Sequence, residues 1–82
     1  MIQNEPKIGA NCVISPNAKI GKNVEIGNFV IIEDDVEIGD DTKIGPFCII
    51  RSGAKIGSNC KFTAYCEIRN NVKIGNNTSF GS

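Results

Sequence analysis

The side chains in this sequence that could move a proton, grip a phosphate or attack an acyl carbon are few. Carboxylates cluster at Glu33, Asp34 and Asp35, with Glu67 further along, and Arg51 and Arg69 are cations that could hold a phosphate or pair with an acid. Thiols stand at Cys12, Cys48, Cys60 and Cys66, and there is no His. That removes the commonest general base, the commonest zinc ligand and the Ser-His and Cys-His nucleophile pairs. The Cys are not spaced as Cys-x-x-Cys, so no metal site is expected. Glu33, Asp34, Asp35 and Glu67 remain candidate bases, each of which also fits a corner or surface position.

Charge and hydropathy narrow the classes further. Nine Lys and Arg balance nine Asp and Glu, which leaves no basic footprint for nucleic acid. The longest apolar runs, Phe29 to Ile32 and Phe47 to Ile50, fall far short of the roughly 18 residues a membrane span needs. The first seven residues lack the layout of a signal peptide. A cytoplasmic location with reduced thiols is therefore expected, with neither membrane nor nucleic acid as partner.

The elements that must position these groups are set by a repeat. Stepping by six from Ile2 meets Ile8, Ile14, Ile20, Ile26, Ile32, Ile38, Ile44, Ile50, Ile56, Phe62, Ile68, Ile74 and Phe80, without a gap. Four residues after each comes a mostly small one, such as Cys12, Ala18, Val24, Val30, Val36, Thr42 and Cys48. Gly follows the large residue in eight units, and Asn or Asp often fills the corner, as at Asn11, Asn23, Asp35, Asp41 and Asn59. One large apolar residue in six is too sparse for a helix stripe. Val36-Glu37-Ile38-Gly39 instead alternates in and out as a short strand. The Gly-x-Asn/Asp stretch tolerates positive φ and makes a corner. Three strands and three corners close a triangular coil of 18 residues, so the fold class is all-β: a parallel β-helix of about 4.5 coils in a single domain over residues 1–82. Coils stack at about 4.8 Å, and the Ile columns are expected to be core.

The 18-residue period sorts the outward residues onto three faces. On the first stand Lys7, Glu25, Lys43, Lys61 and Ser79, and on the third Lys19, Glu37, Lys55 and Lys73. Each Glu lies between two Lys rungs, a favourable ladder of modest worth on a solvated surface. The second face differs. Its outward residues are Val13, Ile31 and Ile49, then Glu67; Asn11, Phe29, Phe47 and Tyr65 stand at the corner entering it; and Ser15, Glu33, Arg51 and Arg69 follow the axial Ile. An apolar stripe flanked by acids and Arg predicts a buried contact with a neighbouring subunit. In the small inward column of this face Cys48 and Cys66 fall one rung apart, near enough for a disulfide, although small buried thiols are the expectation.

This hexapeptide pattern resembles the left-handed parallel β-helix of the hexapeptide-repeat acyltransferases, over residues 2–82. The stretches Val24-Glu25-Ile26-Gly27-Asn28-Phe29 and Ile44-Gly45-Pro46-Phe47-Cys48 are similar to the N-terminal prisms of nucleotide-sugar acyl- and acetyltransferases. The left hand comes from the resemblance, since the usual crossover rule favours the other. The resemblance implies a homotrimer that transfers an acyl group to a nucleotide-linked amino sugar. Acyl-CoA or acyl-carrier protein would be the co-substrate, and no cofactor is expected to be bound in this chain. It also implies a His base, which this sequence lacks. The repeat is expected to leave strand edges open at both ends, as an N-terminal part of a longer chain would. The rival reading is a non-catalytic β-helical module for structure or assembly.

Overall fold

The computed structural model describes residues 5–81, so Ile2, where the six-residue count begins, lies outside the described residues. Among the described residues, thirteen two-residue strands form three parallel sheets. The first sheet stacks β1 (Lys7–Ile8), β4 (Glu25–Ile26), β7 (Lys43–Ile44), β10 (Lys61–Phe62) and β13 (Ser79–Phe80). The second stacks β2 (Val13–Ile14), β5 (Ile31–Ile32), β8 (Ile49–Ile50) and β11 (Glu67–Ile68), and the third β3 (Lys19–Ile20), β6 (Glu37–Ile38), β9 (Lys55–Ile56) and β12 (Lys73–Ile74). Each strand from β1 to β10 pairs with the strand three places on, at a shift of 18 residues, as in Val13 with Ile31 and Ile31 with Ile49. The chain is a left-handed parallel β-helix of triangular section.

The strands are shorter than the four-residue alternation predicts, because the corners take the flanking positions. The hydrogen bonds nonetheless span all four. Lys19 donates its N–H to Val36 O and Gly21 to Ile38 O, both at 2.8 Å. The axis is filled by Ile26, Ile32, Ile38, Ile44, Ile50, Ile56, Phe62 and Ile68, with Val24, Val30, Val36, Cys48, Ala54 and Cys60 closing the inward corners. Burying one such Ile contributes roughly 1.5–3 kcal/mol, so a prism one strand thick still has a continuous core.

Glycine and the corner residues divide the work differently from the sequence expectation. Positive φ falls on the corner residue, as at Asn11, Asn23, Asp35 and Asp41, not on the Gly after the axial residue. That Gly is required by close approach: a Cβ on Gly39 would sit 2.6 Å from Gly57 C and from Ser58 N in the next coil. Gly53 is the exception, occupying the corner position itself at φ 78° against the Asn71 side chain.

Candidate subunit-contact face

The second face departs from the repeat at three columns, and each departure has a local cause. On the corner entering it, Phe29, Phe47 and Tyr65 take the place that Asn or Asp fills elsewhere. All three adopt the left-handed conformation, with φ of 59°, 60° and 63°. The backbone demands it: the N–H of Phe29 donates down to Ala10 O at 2.9 Å, Phe47 to Asn28 O at 3.0 Å and Tyr65 to Pro46 O at 3.1 Å. Asn and Asp tolerate this region, whereas a bulky side chain is strained there by about 1–3 kcal/mol. The rings stack in parallel, Phe29 on Phe47 at 5.2 Å between centroids and Phe47 on Tyr65 at 5.1 Å. They remain 48%, 45% and 77% exposed.

On leaving the same face, the chain turns differently from the other two corners. Ala18 N–H donates to Ser15 O at 3.1 Å, Ala54 to Arg51 O at 3.2 Å and Val72 to Arg69 O at 3.4 Å, closing a local turn. This geometry leaves room for side chains where the other faces mostly need Gly. Arg51 uses it to bridge three coils. Its Nε donates to Glu67 Oε2 at 3.0 Å and its Nη1 to Glu33 Oε2 at 3.2 Å. Those two hydrogen bonds, to Glu67 first and Glu33 second, raise the Arg51 pKa above its ordinary value against a smaller opposing effect of burial. Glu33 Oε1 also accepts the Ser52 N–H at 3.0 Å. The Ser15 hydroxyl donates to Asp34 and accepts the Asn17 N–H at 3.1 Å.

Between these columns lies the outward strand column: exposed Val13, Ile31 at the edge of exposure, half-buried Ile49, and then exposed Glu67. The structure therefore brings together Phe29, Phe47 and Tyr65 as one stack and Glu33, Arg51 and Glu67 as one ion-paired cluster, with Val13, Ile31 and Ile49 as the strip between. Arg69 continues the Arg column in the last coil and is exposed, outside that cluster. Three of the four candidate bases are already engaged: Glu33 and Glu67 by Arg51, and Asp34 by Ser15. Asp35 is an exposed corner residue at φ 60°.

The sequence reading missed the left-handed aromatics, whose signal was their place in the hexad's Asn/Asp position. It also missed a set of inward donors. Thr42 Oγ1 donates to Gly57 O at 2.8 Å and accepts the Cys60 N–H at 3.2 Å. Cys12, Cys48 and Cys60 repeat the first of these bonds, donating S–H to the carbonyls of Gly27 (3.1 Å), Thr63 (3.2 Å) and Gly75 (3.1 Å). Each spans 15 residues, so the thiols satisfy inward carbonyls that a Val or Ala in the same column cannot. All four Cys are free thiols, so Cys48 and Cys66 form no disulfide; Cys48 and Cys60 are buried, Cys12 and Cys66 only half-buried. Burial pushes the Cys48 thiol pKa up. On the third face the Lys–Glu ladder closes at Lys55 Nζ and Glu37 Oε2, 2.9 Å apart.

Among the described residues, no three His, Cys, Asp or Glu side chains converge as metal ligands would, and no helix is long and apolar enough to cross a membrane. The sequence pattern of the bacterial transferase hexapeptide family (six repeats) matches residues 1–34 and again 35–70. The structure also resembles serine acetyltransferase isoform 3 from Entamoeba histolytica, solved in complex with cysteine, with a TM-score of 0.58 and 26% sequence identity. That likeness covers 94% of this chain and 33% of the enzyme, so the chain spans about one third of its length. No curated protein matches the chain by sequence.

Proposed function

This chain belongs to the bacterial transferase hexapeptide family, and from that membership we propose that it is the β-helical prism of an acyltransferase. The reaction is acyl transfer from a thioester carrier, acyl-CoA or acyl-carrier protein, to an amine or hydroxyl acceptor. A nucleotide-linked amino sugar is the acceptor that the hexad stretches around Val24–Phe29 and Ile44–Cys48 favour. The acceptor attacks the thioester carbonyl directly, a base takes its proton, and the carrier thiol leaves. The serine acetyltransferase likeness supports acyl transfer in general and does not select the acceptor.

The second face is this chain's contribution to assembly: we assign Val13, Phe29, Ile31, Glu33, Phe47, Ile49, Arg51, Tyr65, Glu67 and Arg69 to contact between subunits of a cytoplasmic homotrimer. The observation that carries this reading is an apolar strip beside which Arg51 holds both Glu33 and Glu67 in ion pairs within the chain. Pairing lowers the cost of covering such a face. With Glu33, Glu67 and Asp34 already engaged, a second reading stays in play, a non-catalytic module for assembly.

Incubation with acetyl-CoA and a uridine-diphosphate amino sugar, with release of free thiol as the readout, separates the two. The transferase reading expects thiol release that depends on the acceptor and falls when the contact face is disrupted. An intact oligomer with no acceptor-dependent release would leave the assembly module.

A further inference from the structure

The first and third faces carry the same outward ladder, so each is a control on the other. Lys7, Glu25, Lys43 and Lys61 stack in register on the first, and Lys19, Glu37, Lys55 and Lys73 on the third. The third ladder closes on itself. Lys55 Nζ donates to Glu37 Oε2 at 2.9 Å and, across to the corner, to Asp35 O at 3.2 Å. The first ladder stays open. No described residue of opposite charge lies within 4 Å of Glu25, Lys43 or Lys61, nor of Asp41 on the adjoining corner. A trough of about 580 Å³ runs between the corner residues Asn23, Asp41 and Asn59 and the strand residues Glu25, Lys43 and Lys61. That is room for one small molecule.

The charges are sorted along this trough. Glu25 and Asp41 stand toward one end, and Lys43 and Lys61 lead to the other on neighbouring rungs, about 4.8 Å apart. Two like charges in register repel unless an anion lies between them. We propose that the trough binds a small phosphate ester that also carries a primary ammonium group. The phosphate lies between Lys43 and Lys61, the ammonium between Glu25 and Asp41, and the amides of Asn23 and Asn59 serve neutral hydroxyls. The midpoint of the two Lys rungs is about 7 Å along the axis from the Glu25 rung, which sets the distance the ligand must span. The site lies outside the second face, so it is independent of how that face is covered. A phosphorylated amine is also the kind of acceptor named above, and the inference rests on the transferase reading only for its place in that reaction.

Three probes and three double variants test it. Glucosamine 6-phosphate carries both charges, glucose 6-phosphate lacks the amine, and glucosamine lacks the phosphate. Lys43→Met with Lys61→Met removes the anion site. Glu25→Gln with Asp41→Asn removes the ammonium site, and Asn is the residue the repeat itself places at 23 and 59 with the same positive φ. Lys55→Met with Lys73→Met is the matched control on the third face. Circular dichroism confirms that each folds, and titrations followed by amide chemical shifts read binding. Wild type should bind glucosamine 6-phosphate about tenfold more tightly than either fragment, and less tightly as salt rises. The Lys43, Lys61 variant should lose about tenfold in affinity, the Glu25, Asp41 variant should bind the two phosphates alike, and the third-face variant should match wild type. If the two Lys variants lose affinity equally, the effect is one of net charge and the site is wrong. If wild type binds none of the probes at millimolar concentration, the site is likewise wrong; acceptor-dependent thiol release by that same chain would leave the transferase reading standing. Binding as expected without thiol release would support the site and count against the transferase reading alone.

Discussion

Replacing Tyr65 by Asn and by Ala separates the strain in the aromatic corner from the packing it provides. Tyr65 holds φ 63°, stacks on Phe47 at 5.1 Å and is 77% exposed, so it buries only about a quarter of its surface. Removing the ring forfeits one stacked pair, about 0.5–1.5 kcal/mol, and roughly 0.5 kcal/mol of burial. Asn recovers much of the left-handed strain, about 1 kcal/mol at the low end of the range; Ala, with a Cβ and no local hydrogen bond, recovers little. Tyr65→Asn should therefore fall within about 1 kcal/mol of wild type, and Tyr65→Ala should lie about 1 kcal/mol below Tyr65→Asn. For a chain of this size that gap is about 4–8 °C in melting temperature. The measurement belongs in the Ile31→Glu, Ile49→Lys background, where association does not contribute to the transition, followed by far-ultraviolet circular dichroism. If Ala and Asn melt together, or if Asn costs more than about 3 kcal/mol, the ring is held by packing and the strain argument fails.

Other outcomes follow from the core and the corners. Ile50 is fully buried on the axis, so Ile50→Ala should cost about 2–5 kcal/mol, read as a lower urea midpoint with an unchanged slope. Thr42→Val should cost about 1–3 kcal/mol, because Gly57 O and the Cys60 N–H lose their partner; Thr42→Cys should cost less, since Cys12, Cys48 and Cys60 make the same bond. Gly53→Ala puts a Cβ at φ 78° against Asn71 and should lower stability by more than 1 kcal/mol or so. The hydrogen bond and charge of Lys55, in that order, lower the Glu37 pKa. A carboxylate whose folded pKa is depressed gives stability that is present above its unfolded value and lost as pH falls through the folded one. Lys55→Met should therefore flatten the acid limb of the stability curve below the ordinary carboxylate range, and an unchanged limb would refute the pairing.

Most of the fold was legible because the hexad fixes two things at once. The axial residues from Ile8 to Phe80 set the inward column, and their spacing sets the register, so the three sheets follow by counting. The faces followed as well, and with them the outward placing of Val13, Ile31 and Ile49. What was not legible lies in backbone geometry that side-chain type does not report. Gly and Asn both read as corner residues, yet close approach selects the Gly at 39 and dihedral angle the Asp at 41. Phe29, Phe47 and Tyr65 read as apolar corner residues, and only the dihedral angles show that they sit where the backbone resists them. The reach of Arg51 over three coils depends on side-chain rotamers, which spacing constrains without selecting. The Cys were placed correctly in the small column, but their bonds run to a carbonyl 15 residues away, a distance the six-residue period does not mark.

Zero net charge conceals an order along the axis that bears on how a repeat finds one stacking. Residues 24–41 hold Glu25, Glu33, Asp34, Asp35, Glu37, Asp40 and Asp41 and no cation. The coil before, residues 6–23, holds Lys7, Lys19 and Lys22 and no acid; the coil after, residues 42–59, holds Lys43, Arg51 and Lys55 and no acid. In the native register each strand-borne or turn-borne Glu of the acidic coil lies under a cation of the next: Glu25 under Lys43, Glu33 under Arg51, Glu37 under Lys55. A slip by one hexad would keep every Ile on the axis, so the apolar core alone discriminates weakly against it. It would instead bring Lys43 over Ile31 and Arg51 over Gly39. Exposed ion pairs are individually worth little. Here their value is comparative, because a register error loses Lys43 and Arg51 from their partners together while the Ile ladder, which supplies most of the stabilisation, does not change.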